Sequence, residues 1–249
     1  MNYRLITLNV LLISSLATSA QTSGQIPTNL SGGGAAQGAT AGAIASLLGP
    51  ISDANEKRNI NWEEFQGSPY VSDVFKPTQL FYKDENMGNI FYRYNALNEE
   101  IEIKESLMQE GVRGLSRDKN IRIFRDGRPM SFQTFIDQKG NTLNGYLTHL
   151  FDGETYDLYK RIHVKYTEGS KAANSFVKAT PSRFTHFEEY YLQKKGIDRI
   201  DEFVPKKSAL YQLEPGKKET LKALIKEQKL DLDNEQDLIQ ILQHLDGQS

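Results

Sequence analysis

Cysteine is absent from all 249 residues. That excludes disulfides, thiolate metal sites and the acylated cysteine of a lipoprotein. Tryptophan occurs once, at Trp62, and histidine four times, at His149, His163, His186 and His244. None of the four histidines carries the i,i+2 or i,i+4 spacing of a metal pair. Nucleophile elbows, zinc-helix pairs, phosphate loops and Ca²⁺ loops are missing as well. Charge of one sign is not in excess, with 30 Lys and Arg against 32 Asp and Glu. Electrostatics therefore points to no polyanionic partner, nucleic acid included.

Long apolar runs are equally scarce. The one that stands out is in "MNYRLITLNVLLISSLATSA", where Arg4 precedes a run from Leu5 to about Leu16 and small residues follow. This is the pattern of a secretory signal peptide over residues 1–20. Its apolar part is shorter than the roughly 20 residues of a spanning helix. The expectation is an exported chain with no transmembrane segment after cleavage.

Residues 21–60 read as a flexible Gly/Ala/Ser-rich leader, too poor in apolar surface to offset its ordering entropy. Within it, Ile44, Leu47 and Leu48 end the stretch "GATAGAIASLLG". They are candidates for a plug or docking segment that orders on a partner, set against a plain linker.

From 61 to 213 the chain carries short runs rich in Tyr, Phe, Ile and Thr. Strands are expected over 78–83, 90–95, 101–105, 120–125, 130–136, 142–151, 155–166 and 183–192. Asp126-Gly127, Lys139-Gly140-Asn141 and Asp152-Gly153 lie between them, residue types that supply the positive φ of tight hairpins. Close spacing without helical patterns argues for antiparallel pairing. In "YDLYKRIHVKY", Leu158, Ile162, Val164 and Tyr166 share one parity, opposite Tyr159, Arg161, His163 and Lys165. That is a half-buried strand with a basic outer face, on which His163 reads as solvated. From 214 to 249 the period changes to three and four, with Leu221, Leu224 and Ile225, then Leu238, Ile241, Leu242 and Leu245. The fold expected is mainly β, a twisted antiparallel sheet or roll closed by two short amphipathic C-terminal helices.

The stretch "YRYNALNEEIEI" sets three carboxylates behind Arg93-Tyr94-Asn95. Its apolar parity switches midway, so residues 95–98 should hold a bulge or a hairpin turn. Past that turn Glu100 and Glu102 lie opposite Ile101 and Ile103 and are expected to face water, a poor setting for catalysis. No catalytic residue, cofactor or metal ligand is assigned.

"GSPYVSDVF", "FYRYNALNEEIEI", "FEEYYLQ" and "KKSALYQL" together resemble a family of exported Bacteroidota proteins of unknown function. The resemblance covers residues 67–245 and implies a location, the periplasm or the inner face of the outer membrane, and an architecture, but no activity. The long Gly/Ala leader departs from the family pattern. It points to a specialised partner, such as an outer-membrane translocon needing a plug or accessory subunit. Candidate partner-contact residues are Ile44, Leu47, Leu48, Tyr92, Arg93, Tyr94, Tyr190 and Tyr191. The function expected is non-enzymatic binding to an outer-membrane or periplasmic protein complex. The alternative is a soluble enzyme or binding domain acting on an envelope glycan.

Overall fold

The computed structural model describes residues 42–51, 65–170 and 178–247. The signal segment, most of the leader and Trp62 lie outside them. The described chain is mostly β, a single mixed sheet with short helices near its C-terminal end. Its strands are β1 (Leu48–Gly49), β2 (Phe65–Gln66), β3 (Lys76–Tyr82), β4 (Glu85–Asn95), β5 (Glu100–Lys104), β6 (Arg113–Leu115), β7 (Ile121–Arg125), β8 (Arg128–Ile136), β9 (Thr142–Asp152), β10 (Tyr156–Thr167), β11 (Ser182–Lys194) and β12 (Ile200–Phe203).

The sheet runs β1-β6-β5-β4-β3-β7-β8-β12-β11-β10-β9, and β8 also pairs with β9. That extra pairing joins β8 through β12 into a closed five-strand ring. Pairing is antiparallel, as expected, except at two places. β12 lies parallel to β8 through Asp201↔Ile136, and β2 lies parallel to β11. Both are joins between segments far apart in sequence, the kind that need a long connection rather than a hairpin.

Turn chemistry explains the hairpins. Asp126 and Gly127 both take positive φ, 51° and 79°, as the Asp-Gly pair requires. Gly153 does not serve that purpose. A Cβ there would lie 2.5 Å from the Tyr156 carbonyl oxygen. The space is filled by the Asp246 carboxylate, which accepts from the Glu154 and Thr155 N–H groups at 2.7 and 3.0 Å. The last helix thus pins the β9–β10 turn.

Three apolar clusters result. The largest gathers around Leu80, Tyr94, Ile101, Ile123, Tyr146 and Ile162, from β3, β4, β5, β7, β9 and β10. The second packs the helices against Leu150, Phe151, Leu158 and Leu192 of the ring strands. The third, Phe135, Leu147, Tyr191 and Ile200, lies on the opposite face of the ring strands. Three helices follow the strands where two were expected: α1 (Lys207–Leu213), α2 (Lys218–Glu227) and α3 (Glu235–Asp246). Seven residues give α1 too few repeats to show a period, yet its Leu210 is fully buried. The stripes of α2 and α3 belong to the second core. Asn234 caps α3 by accepting from the Gln236 and Asp237 N–H groups, and Gly247 ends it at φ 79°. No described helix is long and apolar enough to cross a membrane.

Residues 42–51, inside the segment expected as leader, pack on the sheet. A helical turn at 42–45 buries Ile44, and Leu47 follows it into the first core. Leu48 and Gly49 pair with Leu115 and Gly114 on the outermost edge. Composition counts the entropy of this segment but not the ready-made edge that receives it. Gly114 lets it approach, since a Cβ there would sit 3.1 Å from the Pro50 carbonyl oxygen.

Candidate functional site

The sequence motifs at residues 67–70, 93–95 and 100–102 converge in space. β4 and β5 form a hairpin that pairs Arg93 with Glu102 and Asn95 with Glu100. The turn expected over 95–98 is its loop, where Glu99 takes φ 50°. Asn95 is fully buried and holds that turn, its Oδ1 accepting from the Asn98 N–H at 3.2 Å. Its Nδ2 donates to Glu102 Oε1 at 3.1 Å. Arg93 donates to Glu102 Oε2 from Nε and Nη2, at 3.1 and 2.5 Å. The same guanidinium lies 3.8 Å from the Tyr70 ring centre and 4.6 Å from that of Phe75, and donates to the Tyr70 hydroxyl. Burial, then the Glu102 charge, pushes the Tyr70 phenol up to about 12.

This corrects the wet-face expectation. Glu100 and Glu102 are 6% and 3% exposed. Alternation along β5 shows which residues lie opposite the isoleucines, not what covers them. The 67–75 segment folds back over β4, with the Val71 N–H donating to the Tyr94 carbonyl and the Ala96 N–H to that of Pro69. Glu102 is covered by that non-local return.

Of the eight candidate contact residues, Ile44, Leu47, Tyr92, Tyr94 and Tyr191 are buried, and Leu48 is half-buried in β1. Tyr94 donates its hydroxyl to the Ile162 carbonyl, and Tyr191 donates to Glu189. Tyr190 is half-buried against the helices. Tyr92, Arg93 and Tyr94 nevertheless line one cleft together.

That cleft opens where β3 leaves β7. Their ladder ends at Leu80↔Ile123. Beyond it the Thr78 hydroxyl donates to the Phe124 carbonyl at 2.8 Å and accepts from the Phe124 N–H at 3.0 Å. A side chain thus replaces a backbone rung, and the strands splay. A depression of about 400 Å³ lies there, over Pro77, Gln79, Tyr92 and Gly127. It abuts a smaller notch lined by Val71, Val74, Arg93, Tyr94 and Arg125, and the two share Lys76, Tyr92 and Asp126. Val74 is 69% exposed at its rim.

A second polar cluster sits on the ring strands. Past Lys160, β10 leaves β9, and the β4–β5 turn fills the gap, the Val164 N–H donating to the Ala96 carbonyl. Glu99 enters there and is held by Arg161 Nε and Nη2. Gly145 makes room, because a methyl there would collide with the Glu99 carboxylate. Arg161 Nη1 also donates to Glu189 at 2.9 Å. Nothing in the sequence pattern singles out Glu189 or joins it to Glu99. His163, expected in solvent, stacks on Phe187 with ring centres 5.2 Å apart. Burial holds its imidazole below the usual histidine range, against the opposing pull of Glu189.

A histidine whose folded pKa is depressed contributes stability above its unfolded value, about 6.5, and loses it as pH falls through the folded value. His163→Asn should therefore flatten the acid limb of a melting-temperature profile below that pH. An unchanged acid limb would show that His163 titrates alike in both states.

A third cluster assembles His149, Asp152 and Asp157, with one ligand atom from each within 4.8 Å of the others. Lys195 Nζ lies 2.7 Å from Asp152 and 2.9 Å from Asp157. The ammonium already holds the cation position and keeps the Asp152 carboxyl below its ordinary range. These residues could ligate a metal once Lys195 swung away.

No protein-family model, curated protein or solved structure matches this chain.

Proposed function

We propose that this chain is a non-enzymatic exported protein that docks on an outer-membrane or envelope protein complex, as an accessory or plug-like subunit. The observation that carries the reading is the state of its carboxylates. Glu99, Glu102 and Glu189 are each held by arginine. A carboxylate whose oxygens accept from a guanidinium is committed to a structural partner rather than presented to a substrate. The cleft beside Tyr92, by contrast, is open and carries an apolar rim. The signal-peptide pattern at residues 1–20 supports export.

A second reading, a glycan-binding domain, draws on a groove of about 700 Å³. Phe132, Gln133, Thr134 and Gln193 line it, an aromatic face beside amides and a hydroxyl.

The test is recovery from native envelopes after gentle cross-linking. Wild-type protein should come down with a membrane-protein complex. Val74→Glu should lose that complex while keeping its melting temperature, because Val74 is solvent-exposed. Recovery of the wild type only as a free monomer would overturn the docking reading.

A further inference from the structure

Among the described residues, Arg125 is a buried cation with weak compensation. It ends β7, immediately before the Asp126-Gly127 turn. Its side chain is only 11% exposed. Its Nε is buried and has no hydrogen-bond partner among the described residues. The carboxylate paired with it is Asp126 at 3.6 Å, beyond hydrogen-bonding distance and 66% exposed. Asp126 is also shared with Lys76, at 3.4 Å. The contrast with Arg93 in the same notch is direct, since that guanidinium is fully engaged by Glu102 and Tyr70. A buried N–H of a charged group left without a hydrogen-bond partner is costly. Two cations share one solvated carboxylate at the junction of the two depressions, and Val71 and Val74 supply apolar surface beside them.

We propose that this cleft binds an acidic side chain of a partner protein, flanked by apolar residues, and that Arg125 is its anchor. The incoming carboxylate displaces Asp126, accepts from the Arg125 Nε–H and stands near Lys76. Its apolar neighbours cover Val71 and Val74. Asp126 then acts as an internal stand-in that occupies the cations weakly until the partner arrives. The proposal deepens the docking reading by naming the chemistry of the partner, and rests on that reading for the ligand being a protein.

The experiment follows the arginine Nε–H resonances of the full chain by NMR. The probes are acetyl-Leu-Asp-Leu-amide, its Asn counterpart and isovalerate. The Asp peptide should shift the Arg125 resonance saturably, and the Asn peptide should not. Arg125→Met should weaken binding about tenfold or more, the worth of one charge-assisted hydrogen bond. Asp126→Asn should strengthen it several-fold by removing the competitor, and asparagine tolerates the positive φ of that turn. Asp126→Asn also keeps the test open should Arg125→Met fail to fold. No saturable shift, or weaker binding by Asp126→Asn, would overturn the proposal. Isovalerate binding as tightly as the peptide would overturn the protein ligand in favour of a small carboxylic acid. A failed titration alongside intact envelope co-purification sinks the anion site alone. A positive titration with a chain recovered only as free monomer sinks the docking reading alone.

Discussion

Arg93→Met should lower folding stability by about 3–5 kcal/mol, the cost of stranding one member of a buried ion pair. Glu102 would keep its burial, with its side chain only 4% exposed, and lose both guanidinium hydrogen bonds. Tyr70 and Phe75 would lose the cation lying over their rings. Against a total stability of about 5–15 kcal/mol for a domain, this is a large fraction. Urea denaturation should show a lower midpoint with little change in slope. Arg93→Met combined with Glu102→Leu should recover part of the loss, because an apolar pair removes the uncompensated charge. Recovery stays incomplete, since Asn95 Nδ2 loses its acceptor and an unsatisfied buried amide costs about 1–3 kcal/mol. A midpoint unchanged in the single variant would mean that Glu102 is reached by water.

The same region marks how far the sequence could be read. Alternation and turn pairs revealed eight of the strands, because those signals are local: side-chain parity and a glycine where φ is positive. The parity switch inside "YRYNALNEEIEI" located the hairpin turn for the same reason. Burial of Glu102 was not legible, since it depends on the return of residues 67–75 over β4. Nor was the closure of β8 through β12, which rests on Asp201 meeting Ile136. The pairing of residues 48–49 was not legible either, since it depends on the edge offered by β6 and not on their own composition. The cleft shows the same limit. Tyr92, Arg93 and Tyr94 stood out as neighbours on one strand, but Val74 and Arg125 reach them from separate segments.

Arg161→Met is the variant that decides between the docking and glycan-enzyme readings. Arg161 joins Glu99 on the β4–β5 turn to Glu189 on β11, so it ties that turn to the ring strands. Its loss should cost about 2–4 kcal/mol, below the ~3–5 kcal/mol of fully buried pairs, because Glu99 and Glu189 retain 21% and 28% side-chain exposure. The acid behaviour of His163 gives a second readout. Arg161 lowers the His163 pKa by repulsion, whereas Glu189 and Glu99 raise it. Without the guanidinium, the His163 ring should titrate at higher pH, and NMR of its ring protons would show the shift. Both changes follow if Arg161 is the counterion of the two glutamates. A variant as stable as the wild type, with His163 unmoved, would mean that neither carboxylate depends on Arg161. Glu99 and Glu189 would then be available to other partners, and the docking reading would lose the observation that carries it.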